Sequence, residues 1–314
     1  MKQTILKNSK IRLILSWLIA ILCLLYLFWK IDFHSLWQVF LKAKPIYIGF
    51  VALLNIWVLA IKAERWRRIT QPLVSLAPLE AQCLTILGFW GNTILPARAG
   101  DFGRGLYLSR KGIPWVSGVS TVGADKLLDA LGLLGFVVVF FPTLPPFLRK
   151  DVLVSLILVT LALIIVLFLV RRYSLEDLDN APNTLFKGLI LLSTGFKSFR
   201  DGKLFIQTYL LSLLSWFLQT EMLVFSAKAL GLDLSFPTAL ITLIGLNFLL
   251  VLPTPPSGVG LMHAAIVFIL GLFDYPKVLA LGIAIIYHGV QTLVLCLLGP
   301  VCLLLKGRLL SVPI

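Results

Sequence analysis

The sequence predicts an all-α polytopic membrane protein with about six full spans and two re-entrant, Pro/Gly-broken helical hairpins in an inverted repeat. Three observations carry this. The chain of 314 residues is 59% hydrophobic and 13% charged, with mean hydropathy +0.98. Soluble globular domains do not have this composition, and membrane spans do. Two apolar runs, 83–95 and 236–252, end in clusters of proline and glycine. Broken backbone at membrane depth leaves N–H and C=O groups that lipid cannot satisfy, so such segments belong inside protein or along a polar cavity. The two breaks are also related: Thr85, Gly88, Leu95, Pro96 and Gly103 recur as Thr242, Gly245, Leu252, Pro253 and Gly260, at a constant offset of 157. Paired interrupted segments in two halves are the strongest sequence pointer to a transporter binding site.

The elements follow in order. Residues 11–29 read as the first span; they are too long and too poor in small residues at a cleavage point for a signal peptide. Residues 32–43 place Phe33, Leu36, Trp37, Phe40 and Leu41 on one face, as in an interfacial helix. Further spans are expected at 46–62, 114–141, 152–170, 203–230 and 277–305. The first hairpin enters over 79–95 and leaves over 101–110; the second enters over 236–252 and leaves over 261–273. The chain therefore reads as one integral membrane domain, 1–314, with repeat one about 79–141 and repeat two about 236–305. A polar linker, about 171–202, joins them and carries an amphipathic patch at 185–199.

The net charge of +14 belongs to basic residues lying between apolar spans. They read as topology signals and contacts to anionic lipid, not as a nucleic-acid face. With both hairpins re-entrant, eighteen Lys and Arg fall on one side, including Lys62, Arg65, Arg67 and Arg68, against seven on the other. The bias places both termini in the cytoplasm of a cytoplasmic (bacterial inner) membrane. Cys23, Cys83, Cys296 and Cys302 lie in apolar runs without a Cys-x-x-Cys pair, so neither metal nor cofactor is expected. Walker, dinucleotide and serine-nucleophile motifs are absent from the sequence.

Charges inside the spans carry the chemistry, because each costs about 2.5–3.5 kcal/mol at the bilayer centre on insertion scales. Arg98, Arg104 and Lys126 are the cations expected to be buried. Arginine suits phosphate or carboxylate, and a half-helix starting near Asp101 would add backbone donors. Asp101, Asp125 and Asp129 would orient these cations; the alternative is pure internal pairing, Arg98 or Arg104 with Asp101 or Asp125, and Lys126 with Asp129. In the second break Pro253, Pro255 and Pro256 stiffen the chain while Gly258 and Gly260 permit close approach. His263, His288 and Gln291 would complete the site from repeat two, and Glu221, His263 and His288 are candidates for proton coupling.

These residues resemble the signatures of the lysylphosphatidylglycerol synthase transmembrane family. The first is Asn92-Thr-Ile-Leu-Pro96-Ala-Arg98-Ala-Gly100-Asp101-Phe-Gly-Arg104, with Asp125-Lys126-Leu-Leu-Asp129 after it. The second is Pro253-Thr-Pro255-Pro256-Ser-Gly258-Val-Gly260-Leu-Met-His263, followed by Tyr287-His288. Many members have Glu where Asp101 and His263 stand, and Arg where Lys126 and His288 stand. The resemblance implies a stand-alone flippase-type region without the soluble aminoacyl-transferase domain, and places Asn92 in the substrate site with the residues above. The expected activity is translocation of an anionic phospholipid or lipid-linked intermediate, with no catalytic residue. The alternatives are an intramembrane transferase acting on a lipid carrier, or a small-solute transporter. Expected partners are lipids with anionic head groups, a second copy of the chain or a separate lipid-modifying enzyme, and no nucleic acid.

Overall fold

A computed structural model describes residues 31–95, 99–143, 146–172, 183–249 and 256–309, with positions 18, 21, 22, 25 and 27 of the first span. The described residues form an all-helical membrane protein of eleven α-helices. They are α1 (Phe33–Leu41), α2 (Pro45–Thr70), α3 (Pro78–Ile94), α4 (Ala99–Tyr107), α5 (Trp115–Phe140), α6 (Pro146–Arg172), α7 (Thr184–Thr194), α8 (Gly202–Ala229), α9 (Phe236–Leu249), α10 (Leu261–Gly271) and α11 (Lys277–Leu309). Pro45–Thr70, Gly202–Ala229 and Lys277–Leu305 are long and apolar enough to cross a membrane. α5 and α6, at 26 and 27 residues, have the length as well. α6 exposes Leu161, Ile164, Ile165 and Phe168, an apolar stripe at helical spacing turned outward, as lipid requires. In α1, Asp32 caps the helix, accepting from the His34 amide at 2.9 Å and the Ser35 hydroxyl at 2.5 Å, and the Ser35 bond holds its carboxyl below the usual range. Phe33, Trp37 and Leu41 stand exposed along one side, as an interfacial helix would present them.

The chain forms two compact units. The first comprises Met1–Trp57, Trp90–Ala99 and Leu218–Leu297; the second comprises Val58–Phe89, Gly100–Phe217 and Leu298–Ile314. In the first, Phe50 stacks on Phe225 at 5.4 Å, and the Lys44 amide donates to the Ala229 carbonyl at 2.8 Å. In the second, Trp66, Leu76, Ala81, Leu84, Tyr107 and Leu108 form one apolar cluster, and Ile69, Ala124, Leu128 and Phe199 another. Residues 183–202 of the linker are helical for much of their length. Its patch folds as α7, and Thr194 donates to Ser117 of α5 at 2.6 Å while Ser117 donates to the Leu191 carbonyl at 3.0 Å.

Both broken segments double back. Glu80, near the start of α3, is buried and accepts from Tyr107 at 3.1 Å, and Lys111 reaches its two oxygens at 2.8 and 3.0 Å. The entry and exit of the first hairpin are thus clasped together. Tyr275, just past α10, donates to the carbonyl of Asp233, just before α9, at 3.1 Å, and clasps the second hairpin in the same place. The matched glycines also share a role. A Cβ on Gly88 would press on the Gly100 carbonyl at 3.3 Å and the Arg104 stem at 3.4 Å, and one on Gly245 would meet Ile269 at 2.5 Å. In each hairpin the absent side chain lets the two arms close.

Candidate functional site

In the second unit, seven charges form an alternating chain. Asp125 and Asp129 lie one turn apart on α5, so their carboxylates share a face. Arg65 of α2, with no exposed side-chain surface, joins them. Its Nε donates to Asp125 Oδ1 at 2.7 Å, and its Nη1 donates to Asp129 Oδ1 at 2.7 Å and to Ser212 Oγ at 2.8 Å. Lys62, one turn earlier on α2, lies 3.8 Å from the other Asp129 oxygen. On the opposite flank Arg104 Nη2 donates to Asp125 Oδ2 at 2.6 Å and lies 3.7 Å from Asp101. Asp101 in turn holds Lys126 at 3.1 Å. The order is Lys62, Asp129, Arg65, Asp125, Arg104, Asp101, Lys126, with a cation at each end.

Aromatic rings wall this chain. Phe89 has Lys62 at 5.7 Å, Arg104 at 5.8 Å and Lys126 at 5.5 Å from its centroid, so the charges curl round one ring. Arg104 also lies 5.1 Å from Trp66, and Trp216 donates its indole N–H to the Asp129 carbonyl at 2.8 Å. Such cation–π contacts replace part of the solvation that a buried cation loses. Two Arg104 nitrogens, Nε and Nη1, are buried without a hydrogen-bond acceptor among the described residues. The Lys126 side chain is 36% exposed, so the chain of charges is open at that end.

Two features differ from the sequence-based expectation. Lys126 pairs with Asp101 and not with Asp129, whose two oxygens are taken by Arg65 and Lys62. Arg65 and Lys62 are structural members of the charged chain, although their place at a helix end made them look like topology signals. The neighbouring Arg67 and Arg68 do behave as surface charges, each bonded to Glu64, at 2.6 and 2.7 Å. Helical spacing was the available signal: Lys62 and Arg65 fall on one side of α2, and Glu64, Arg67 and Arg68 on the other. Arg98, Pro253 and Pro255 lie outside the described residues. Asn92 is half-buried near the end of α3 and belongs to the first unit.

In the first unit, the second break brings two histidines together. Ser257, Gly258 and Gly260 all have positive φ, at 59°, 68° and 84°. This tight turn follows Pro256, opens α10 and aims Ser257 at α11, where its hydroxyl lies 3.0 Å from His288 Nε2 and 3.4 Å from Thr292 Oγ1. The His263 and His288 rings sit 5.0 Å apart, and His263 Nδ1 is buried without a hydrogen-bond partner among the described residues. Gln291 donates back to the Tyr287 carbonyl of its own helix at 3.0 Å, and Glu221 lies half-buried on α8. Sequence reading had no reason to single out Ser257, since only the left-handed turn directs it at His288. A left-handed L-residue costs about 1–2 kcal/mol. Ser257→Ala should keep that strain and lose the His288 contact, whereas Ser257→Gly loses the contact but also relieves the strain. Thermal unfolding in detergent should therefore rank the Gly variant above the Ala variant by about 1 kcal/mol. The reverse ranking would mean that the turn is not left-handed.

Comparison with known proteins finds a relative and a family. A UPF0104 membrane protein of Methanocaldococcus jannaschii is 24% identical over 223 residues, covering 69% of this chain and 94% of its own length. Residues 13–299 match the lysylphosphatidylglycerol synthase transmembrane region, from the first span through most of α11. The protein is an integral membrane protein belonging to the lysylphosphatidylglycerol synthase transmembrane family.

Proposed function

We propose that this protein translocates an anionic phospholipid or lipid-linked intermediate between leaflets. The observation that carries the reading is the charge imbalance of the buried chain in the second unit. Four cations face three carboxylates, and two Arg104 nitrogens find no acceptor among the described residues. A phosphate supplies the missing negative charge and the acceptor atoms for those donors. Arg104 and Lys126 hold the head group, Asp101 and Asp125 orient them, and Arg65 keeps both α5 carboxylates in place. The hydrocarbon chains stay in the bilayer throughout. His263 and His288 serve as a second polar station and a route for a proton.

The same reading places both termini in the cytoplasm. With Lys62 and Arg65 counted inside the protein, sixteen basic residues remain on the terminal side against seven. The Glu80 clasp supports this placement, since it holds Lys111 at the entry end of the hairpin that follows α2. One contact favours a second reading, that of an intramembrane transferase: the Ser257 hydroxyl on His288 is an alcohol beside a base. A single assay separates the two. Purified protein in vesicles containing fluorescent phosphatidylglycerol should accelerate leaflet exchange and leave the lipid chemically unchanged. Exchange equal to protein-free vesicles would overturn the translocase reading, and a covalently altered lipid would favour the transferase.

A further inference from the structure

The second break meets α11 through two histidines and a hydroxyl. His263 is the third residue of α10, in the turn where a helix has unpaired amides and the positive end of its dipole. Its ring lies 5.0 Å from that of His288 and is inclined to it by 57°. His263 Nδ1 is buried without a hydrogen-bond partner among the described residues. His288 is 6% exposed, and its Nε2 shares a hydrogen bond with Ser257. Among the described residues no counter-ion faces the pair. α9, which packs on α10, has no ionisable residue from Phe236 to Leu249. The turn from Pro256 to Gly260 and the rest of α10 have none either. α11 adds Lys277 at its start and Tyr287 beside His288, and α8 adds Glu221 and Lys228 to the same unit. The one ionisable neighbour that acts on His288 is nevertheless His263, and no carboxylate acts on either ring.

We infer that His263 and His288 form a proton-operated latch on the second hairpin: two neutral rings hold the break against α11, and protons on them release it. This goes beyond a proton route, because the proton here moves the hairpin. A neutral His288 exchanges a hydrogen bond with the Ser257 hydroxyl in either tautomer, whereas a protonated Nε2 can only donate. Two imidazolium rings at this distance repel, and the N-terminus of α10 opposes a cation on His263. Once released, the rings regain water and take up protons as ordinary histidines do, below about pH 6.5. The open form then binds more protons than the latched form, so the latch weakens as pH falls from that value. The chain has three histidines, and the third, His34, is exposed on α1. The latch stands on contacts inside the first unit and does not need a head group on the charged chain.

Hydrogen–deuterium exchange of the full chain in detergent reads the latch directly. Amides of residues 257–264 should be protected at about pH 8 and lose protection below about pH 6.5, by up to roughly tenfold per pH unit for each proton taken up, after correction for the chemical exchange rate. Residues 99–107, the exit arm of the first hairpin, contain no histidine and should keep their protection. His263→Phe keeps a ring without a proton site, and His288→Gln keeps a partner for Ser257. Each should flatten the pH dependence at 257–264, and the double variant should abolish it. Protection of 257–264 that is equal from about pH 8 to about pH 5 in the wild-type chain overturns the latch, as does a wild-type pH dependence in the double variant. Neither result bears on the head-group site, whose test is lipid binding at Arg104.

Discussion

Arg65→Ala should be the most destabilising single change in the charged chain. It strips Asp125 of one of two strong partners and Asp129 of its closest, and leaves Ser212 without its donor. Removing one member of a buried ion pair costs roughly 3–5 kcal/mol, because the remaining charge stays buried. Arg67→Ala is the control. Its partner Glu64 is about one-third exposed, as is Arg67 itself, and such pairs contribute about 0–1 kcal/mol. Thermal unfolding in detergent should therefore show a large loss for the first variant and little for the second. Adding Asp129→Asn to Arg65→Ala should restore part of the loss, since that carboxylate no longer needs a cation. Equal melting of the two single variants would mean that Arg65 lies at the surface with its neighbours and that the alternating chain is wrong.

Arg104 variants should separate transport from folding. Arg104→Lys retains a cation for Asp125 but loses the planar guanidinium that offers Nε and Nη1 beyond that bond. It should fold, bind phosphatidylglycerol weakly and exchange it slowly. Charge-assisted hydrogen bonds contribute about 1.5–3 kcal/mol each, so losing one weakens head-group binding roughly ten- to a hundredfold. Arg104→Gln should lose exchange and also stability, since Asp125 then keeps only Arg65. The measurements are leaflet exchange and lipid binding in matched vesicles, with melting of the same preparations. If Arg104→Lys exchanges lipid at the wild-type rate, the residue acts as a point charge and its free donors take no part.

The local devices of this chain were legible in one dimension. Pro96 and the second-break prolines cannot continue a helix, and the apolar runs before them can do little else, so two broken hairpins follow from short-range chemistry. The repeat offset even picked out Gly88 and Gly245, the crossing points of the two hairpins, because a close approach must be written as a missing side chain. The Arg104–Asp125 pair was also within reach, as buried charges of opposite sign on neighbouring helices must meet or stay unpaired. Partner choice was not legible. Asp129 could have taken Lys126 three residues away; α2 instead delivers Arg65 and Lys62 to it from more than sixty residues upstream, and Lys126 turns to Asp101. Ser257 likewise gains its partner only when the left-handed turn sets it against His288, 31 residues further on. Helical periodicity states which side of a helix is charged. Which helix that side meets is a property of the packing, and in this protein packing alone turned a presumed topology signal into the cation that joins the two α5 carboxylates.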